Sequence, residues 1–442
     1  MKLQLPPYPS KKHWLFGNIF YLRKDTIKNL SEFCDEKGPV FSLSSPINKI
    51  AVVCSPEYIK HIVQDNSINY RKSLAYDILS RLLGNGLLTS VGEEWKQNRK
   101  LIQPAFHKKK LDEFVKLMQR STEESIQKLK LENKNVSFDI APFFNALALD
   151  IISKSMFGAQ VEKDAIRISE IIIQLNKLAI DRLNNPITTM LFRNNKDIVL
   201  VKELDTYIYK IMNERRASGD KKDDLLQMLL DARDEETGEG MSDVQIRDEI
   251  MTIFVAGHET TACALSWAVY AIGKNKEVLT KLREEINSFT GEINFDTIFS
   301  LQYFKMVVEE TLRMYPPAWS MGRRTYAIDT FGNYQVRPDT NILIPIYYMH
   351  HHKDYWEKPE EFIPERFHPS TRNNINRFVY LPFGGGARMC IGNHFAMMEM
   401  ILVLFLFIKN FDFEIPNEFE AELEPLITLH AKNGVQVKLK TI

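Results

Sequence analysis

The feature that most constrains the fold is a long apolar segment that begins after Ser242 and ends near Gly273. Ser242 and Gln245 form a capping-box pattern, which predicts a helix N-terminus at this point. Apolar residues occupy most faces of this helix, so we expect it to run for about 48 Å through the protein centre. Midway, the polar segment 258–261, His-Glu-Thr-Thr, interrupts the apolar run. Burying ionisable groups is costly, so this segment predicts either a functional site or a cluster that satisfies its own hydrogen bonds.

Hydrophobic patterns over the rest of the chain are mostly those of helices, with a few short strands. Strands and helices do not alternate regularly, which argues against a doubly wound sheet or a barrel. The sequence therefore predicts a mainly α protein with small β-sheets in a single domain. The predicted helical regions are 57–157, 165–216, 224–232 and 242–315; the predicted strands lie at 40–54 and 324–346 and flank a turn at Asn433-Gly434.

Charge and cysteine content exclude several classes of protein. Lys+Arg and Asp+Glu each number 57, and this neutral balance argues against a nucleic-acid partner. The four cysteines lie far apart, unlike those of a disulfide scaffold. Prolines in segment 1–9 would stop an anchor helix, and the apolar run 400–408 is too short to cross a membrane. We therefore expect a cytoplasmic protein without a membrane anchor.

The segment 383–392, Phe-Gly-Gly-Gly-Ala-Arg-Met-Cys-Ile-Gly, is the strongest local motif. Its glycines allow the backbone to approach a flat group closely. Cys390 precedes a predicted helix start, where free amide hydrogens favour a thiolate, and a single thiolate in such a loop suits axial ligation of haem iron. A zinc site that combines Cys390 with His394 and the triplet 350–352 is an alternative, although the triplet itself favours an exposed loop.

Three further motifs are weak when taken singly. Trp95-x-x-x-Arg99 directs an indole and a guanidinium to one helix face. Glu310-x-x-Arg313 does the same for a carboxylate and a guanidinium, and such pairs are usually solvated. The third motif, Pro-Glu-Arg-Phe, contributes Arg366.

In their order along the chain, these motifs resemble those of the cytochrome P-450 family, in its soluble bacterial type. The resemblance extends over essentially the whole of residues 1–442. It implies one cytochrome P-450 domain without a fused reductase domain. In that fold, haem b (iron protoporphyrin IX) lies between a long central helix and the helix that follows the cysteine loop.

The resemblance also implies which residues bind the cofactor. Cys390 is the expected axial ligand of the haem iron, and its thiolate pushes electron density to the metal. Phe383 and Gly257 are expected to contact the haem. The residues expected to bind the haem propionates are Trp95, Arg99, Arg388 and Arg323, with Arg324 as the alternative to Arg323.

A second implied group is structural. Glu310 and Arg313 resemble a buried pair that joins Arg366 and positions the cysteine loop. Removing one partner of such a buried cluster leaves an uncompensated charge, at a cost of about 3–5 kcal/mol.

The resemblance identifies Glu259 and Thr260 with the acid and the alcohol that supply protons during oxygen activation. Gly257 lies on the same helix face as Thr260, and its small size would leave a groove for dioxygen. Alternatively, the Thr260 hydroxyl bonds a carbonyl one turn back, as threonines in helices often do. The acid–alcohol pair favours a monooxygenase over an isomerase or peroxygenase.

The expected substrate is a lipophilic small molecule such as a fatty acid, steroid or terpenoid. A haem sensor or ligand carrier, which would bind such molecules without product, is the alternative outside enzymes. The expected substrate-lining segments, most of whose residues are apolar, are Ala75–Leu83, Asn184–Phe192, Ile253–Thr260, Ala318–Gly322 and Leu426–Ile427.

Electrons are expected from a separate ferredoxin or flavodoxin with its reductase, and the chain is expected to act as a monomer. Lys108, Lys109 and Lys110 follow the helix of Trp95 and form a local basic patch. This patch predicts a docking site for an acidic electron donor, although charge runs are more often simply solvated.

Overall fold

The computed structural model describes residues 4–45, 49–132, 136–158, 167–168, 170–175, 177–179, 196–219, 221–222, 224–234 and 236–442. Within them, α-helices span Ile19–Leu22, Thr26–Lys37, Pro56–Lys60, Leu74–Leu83, Gly92–Ile102, Lys108–Glu132, Ala141–Phe157, Lys196–Ser218, Leu225–Asp231, Asp243–Lys274, Lys276–Ser288, Phe295–Ser300, Gln302–Met314, Ile346–His351, Pro369–Arg372 and Asn393–Asn410. Shorter helical turns are His61–Asp65, Ser67–Asn69, Gln103–Phe106, Pro364–Phe367 and Gly386–Arg388.

Twelve short strands accompany the helices in the described residues. The largest sheet has the order β1-β2-β8-β5-β3, a second has the order β4-β12-β9, and β6-β7 and β10-β11 form two-stranded sheets. This content confirms the prediction of a mainly α fold with small sheets. The strands are β1 Val40–Leu43, β2 Ile50–Val53, β3 Tyr70–Lys72, β4 Phe138–Asp139, β5 Met321–Thr325, β6 Asp329–Phe331, β7 Tyr334–Val336, β8 Asn341–Ile344, β9 Phe411–Glu414, β10 Leu423–Pro425, β11 Leu429–Ala431 and β12 Gln436–Thr441.

The chain divides into two compact units. We call the first the cysteine unit, because it contains Cys390, and the second the helical unit, because it contains the central helix. The single-domain organisation stays a prediction. The cysteine unit comprises Met1–Asp77, Leu312–Cys390 and Ile427–Leu429, and the helical unit comprises Ile78–Thr311, Ile391–Leu426 and His430–Ile442.

The central helix of the helical unit is Asp243–Lys274, as the apolar pattern predicted. The Ser242 side chain accepts from the Gln245 backbone N–H, and Gln245 bonds back to the backbone of Ser242, which completes the predicted capping box. Most of the helix is buried, including Trp267, and it packs against helices Ala141–Phe157 and Asn393–Asn410. Of the polar residues at its midpoint, His258 and Thr261 are buried, whereas Glu259 and Thr260 are partly exposed.

Acidic residues near the start of the central helix hold the loop that precedes the helix of Trp95. Asp248 accepts from the backbone N–H of Asn85 at 2.6 Å, and Glu249 accepts from that of Leu87 at 2.9 Å. Burial is the main reason that the pKa of Glu249 rises to about 8. Gly84 has a φ of +79°, and a Cβ there would collide with the Asp248 carboxylate, so only glycine fits this turn.

Helix Asn393–Asn410 is long and apolar enough to cross a membrane by length and composition, and it alone meets that test among the described residues. In the structure, 72% of its apolar window is buried inside the protein. Buried core helices meet the same test, which agrees with the prediction of a core helix around residues 400–408.

Of three sequence predictions about local structure, one is confirmed and two are wrong. The hairpin at 40–54 is confirmed, since β1 and β2 pair antiparallel. The predicted hairpin around Asn433-Gly434 is wrong, because β12 pairs with β4 and β9 and β11 pairs with β10. The histidine triplet is no exposed loop either: His350 lies in helix Ile346–His351 and is completely buried.

A buried arginine organises the cysteine unit. Arg313 is 0% exposed and donates from Nη1 to the carbonyls of His350 and Pro359, both at 2.8 Å, and from Nη2 to that of Glu361 at 3.2 Å. Arg366 donates to the carbonyl of Lys358 at 2.7 Å. Both arginines therefore hold segment 358–361 through its backbone.

His350 continues this network to the cysteine loop. Its Nδ1 lies 3.1 Å from the Arg313 carbonyl, and its Nε2 accepts from the Leu381 backbone N–H at 2.8 Å. Burial, followed by the charges of His351 and Arg313, lowers the pKa of His350 to about 3. A neutral ring suits one donated and one accepted bond, and both its nitrogens are engaged, which argues against a zinc ligand.

We predict that Arg313→Lys destabilises the protein by about 2–5 kcal/mol, because one ammonium cannot reach all three carbonyls and buried acceptors are left unpaired. Urea unfolding followed by far-UV circular dichroism measures this loss. Arg120→Lys is the control, since the Arg120 side chain is 83% exposed and pairs with Glu124. Equal stability of the two variants would contradict an organising role for Arg313.

Candidate active site

The cysteine loop is closed by its own backbone. The N–H of Cys390 donates to the carbonyl of Phe383 at 2.9 Å, and the thiol of Cys390 is exposed. Gly386 has a φ of +68°, and a Cβ there would collide with the backbone carbonyl of Val63. The glycine is thus required by a close backbone approach inside the cysteine unit. The next helix starts at Asn393, as predicted from the sequence.

Three cationic side chains gather beside this loop in the cysteine unit. Lys72 on β3 is the cross-strand partner of Arg323 on β5, and Arg388 is near both. Burial, then Arg323 and Arg388, hold the pKa of Lys72 well below its usual range. Burial, then Arg323, lowers the pKa of Arg388 to about 10. Such mutual repulsion would be relieved by an anion, and carboxylates are anions that lysine and arginine side chains bind well.

Lys72 is a residue that the sequence analysis missed. It lies in a strand of only three residues and in no motif. Its position opposite Arg323 identifies it, and this pairing is known only once the strands of the sheet are aligned. By contrast, Arg324 pairs with Asp339 at 3.2 Å, while Arg323 is 4% exposed and belongs to the cationic cluster. These contacts favour Arg323 over Arg324 as the propionate ligand.

Trp95 and Arg99 belong to the helical unit. Both are half-buried and lie one turn apart on helix Gly92–Ile102, hence on one face. Within the cysteine unit, a thiol on a glycine loop beside three cations is a donor set that fits a haem and its carboxylates. Within the helical unit, an indole N–H and a guanidinium on one helix face suit a carboxylate. The individual roles of these residues stay predictions.

At the midpoint of the central helix, the Thr260 hydroxyl donates to the Ala256 carbonyl at 2.6 Å, the alternative considered from the sequence. A hydroxyl bonded in this way still accepts hydrogen bonds through its oxygen. A Cβ at Gly257 would lie 3.0 Å from Cδ1 of Ile152, so this glycine permits close helix packing. Its role next to the cofactor stays a prediction.

The Glu259 carboxylate is paired with a side chain from another element. Its Oε1 lies 2.9 Å from Nε2 of His430 on β11, and Sγ of Cys263 lies 3.4 Å from Nδ1 of the same ring. All three residues belong to the helical unit. Burial lowers the pKa of His430, but the hydrogen bonds with Cys263 and Glu259 outweigh it and raise the pKa to about 10. His430 therefore carries a positive charge at neutral pH and pairs with the acid.

Glu399 is a second residue that the sequence analysis missed. It is 1% exposed on helix Asn393–Asn410, and its Oε1 has no hydrogen-bond partner. Burial raises the pKa of Glu399 well above its usual value, although a hydrogen bond with Thr261 opposes the shift. Burial thus favours the neutral form of a carboxyl group that bonds Thr261, the residue after Thr260. The available signal was a single carboxylate within the apolar run 395–408.

Four of the five expected substrate-lining segments lie in described parts of the chain. Ala75–Leu83 forms most of helix Leu74–Leu83, and Ile253–Thr260 lies within the central helix. Ala318–Gly322 leads into β5, and Leu426–Ile427 lies between β10 and β11. The segment Asn184–Phe192 lies outside the described residues.

Comparison with known proteins agrees with this chemistry. The family model described as Cytochrome P450 matches residues 6–438. Cytochrome P450 97B2, chloroplastic, of Glycine max is 30% identical, over 92% of this chain and 81% of that protein. Carotene epsilon-monooxygenase, chloroplastic, of Arabidopsis thaliana is 28% identical, over 93% and 81%. Cyclooctatin synthase of Streptomyces melanosporofaciens is 28% identical, over 91% of each chain.

We predict that Lys72→Met weakens haem retention about tenfold or more, because a charged hydrogen bond to a propionate is worth about 1.5–3 kcal/mol. The measurement is the rate of haem transfer from the ferric protein to apomyoglobin. Lys60→Met is the control, since Lys60 is a half-exposed lysine that pairs with Asp65. A transfer rate of Lys72→Met equal to that of the control would remove Lys72 from the propionate site.

Proposed function

Because the chain belongs to the cytochrome P450 family, and is therefore a haem-iron monooxygenase that uses O2 and electrons from a redox partner, we propose that it hydroxylates a lipophilic small molecule. The proposed class is a fatty acid, steroid or terpenoid, and the proposed cofactor is haem b. The observation that carries the proposal is the acid–alcohol pair Glu259–Thr260 on a buried helix, with His430 bound to the acid.

When bound, the haem would supply the activation of dioxygen, and Cys390, Lys72, Arg323, Arg388, Trp95 and Arg99 are the residues proposed to hold it. The remaining chemistry belongs to the chain itself. The Thr260 oxygen accepts a hydrogen bond from the proton in transit, and the Glu259 carboxyl supplies that proton. Glu399, buried and protonated, is a further store of one proton near Thr261. Apolar walls keep bulk water from the reaction.

Electrons are proposed to come from a separate ferredoxin or flavodoxin with its reductase. The basic patch invoked for docking is less charged than its sequence suggests. Lys108 pairs with Asp296 at 2.6 Å and Lys110 with Glu113 at 2.9 Å. Surface ion pairs of this kind are weak, so a donor can still compete for both lysines.

A monomeric, cytoplasmic protein without a membrane anchor remains part of the proposal. Relatives named as chloroplastic are as similar to this chain as the Streptomyces protein is. Fractionation of cells that express the full chain distinguishes a soluble from a membrane-associated enzyme. A peroxygenase or isomerase is the second candidate, and turnover without a reductant would establish it.

We predict that Thr260→Ala still binds haem and substrate but diverts electrons to hydrogen peroxide, because one proton-transfer group contributes about 10²–10⁴ in rate. The measurement is product and peroxide formed per NADPH, with a ferredoxin and its reductase as donor. Lauric acid, progesterone and β-ionone serve as probes of the three substrate classes, selected by their spectral shift.

Thr280→Ala is the matched control for this prediction. Thr280 also bonds the carbonyl one turn back, that of Lys276, but lies on an exposed surface helix. If Thr260→Ala matches Thr280→Ala in product per NADPH, Thr260 has no part in proton supply. Substrate binding without any product in the wild-type protein would favour a sensor or carrier.

A further inference from the structure

The contact between β11 and the central helix carries the inference. Nε2 of His430 lies 2.9 Å from Oε1 of Glu259, and Glu259 and Cys263 are one helical turn apart, so the ring rests on the helix face that both share. We propose that His430 acts through Glu259 as the solvent-side member of the proton path to Thr260. Because it touches neither substrate nor cofactor in this account, His430 is a positioning residue. The proposal rests on the function proposed above for Glu259 and Thr260.

Exposure gives this path a direction. The side chain of His430 is 28% exposed, while that of Glu259 is 14% exposed. Water therefore reaches His430 more readily than Glu259. Thr260, itself only partly buried, follows Glu259 on the central helix.

The groups that face His430 keep its ring charged. Glu259 and Cys263 bond its two nitrogens from the central helix. His258, on the same helix, is the other titratable group of segment 258–261; its pKa is lowered, mainly by burial, so it is neutral and does not compete for Glu259. On the strand side, Glu422 pairs with Lys432 at 3.0 Å, and Glu424 lies near the same lysine.

The hydrogen bonds of His430 keep its ring charged at neutral pH. Burial lowers the pKa of His430, but its hydrogen bonds raise it to about 10, so the ring is protonated below that pH. The donor is therefore loaded throughout the range from pH 7 to 9. An unpaired histidine, with a pKa of about 6.5, would be mostly unloaded in that range.

His430 gives its Nε2 proton to Oε1 of Glu259, which leaves a neutral ring and a neutral carboxylic acid, and water then reprotonates the ring. Glu259 passes the proton inward and returns to a carboxylate. Successive residues of a helix point about 100° apart, so the Glu259 side chain turns from His430 towards Thr260 between these steps. Each hydroxylation consumes two such protons with two electrons and one O2, and yields one product and one water.

The first test is the pH profile of product per NADPH between pH 6.5 and 9. The probe is whichever of lauric acid, progesterone and β-ionone gives the largest spectral shift. We expect a flat profile for the wild-type protein. For His430→Gln we expect a yield about tenfold lower at pH 8.5, falling as pH rises, because water alone replaces the donor. His430→Lys, which restores a protonated side chain, should recover most of the yield.

Lys432→Gln is the matched control, because it removes one positive charge from β11's neighbourhood without touching Glu259. Its profile should equal that of the wild type. If His430→Gln also matches the wild type while Glu259→Gln loses yield, the role of His430 is wrong and the proposed function stands. If neither variant loses yield, proton supply by Glu259 fails as well.

A second measurement is independent of turnover. In the ferrous, carbon-monoxide-bound protein, the imidazole resonances of His430 are assigned by their loss in His430→Gln. Glu259→Gln should lower the pKa of His430 by about 1–3, because an opposite charge within hydrogen-bond distance is removed. An unchanged titration of His430 in Glu259→Gln would overturn the pairing on which the proposal depends.

Discussion

One buried guanidinium organises the unit that carries the reactive cysteine. Arg313 is completely buried and donates to three backbone carbonyls, so it fixes the path of the segment that carries them. The ring of His350 bonds the Arg313 carbonyl and accepts from the backbone N–H of Leu381, which lies two residues before Phe383. The network therefore extends to the start of the cysteine loop. The loop that presents Cys390 then closes on Phe383. A guanidinium serves here because it stays charged and offers a fork of donors that a lysine lacks.

The helical unit contains carboxyl groups on two mostly apolar helices, the central helix and helix Asn393–Asn410. The cost of burying them is offset in two ways. Glu259 is paired with the charged ring of His430, whereas Glu399 avoids the cost by staying protonated. The surroundings therefore favour the charged form of Glu259 and the neutral form of Glu399. A difference of this kind distinguishes a carboxyl group that keeps its proton, Glu399, from one that gains and loses a proton, Glu259.

The sequence correctly predicted the features that depend on interactions between residues close together in the chain. The capping box at Ser242 and the hairpin of β1 and β2 depend on neighbours in sequence, and both are found in the structure. The Asn433-Gly434 turn misled because β12 instead pairs with two strands far away in the chain, β4 and β9. His350 was misjudged because a histidine triplet carries no sign of burial. Lys72 became visible only through its register with Arg323.

The central claim is that Cys390 is the axial thiolate of a haem, and one spectrum tests it most directly. The reduced wild-type protein with carbon monoxide should show the strongly red-shifted Soret band of a thiolate-ligated haem. Cys390→Ala should lose this band, whereas Cys263→Ala, which removes the cysteine of the central helix, should retain it. Retention of the band in Cys390→Ala would contradict the assignment of the ligand and, with it, the account of the cysteine loop.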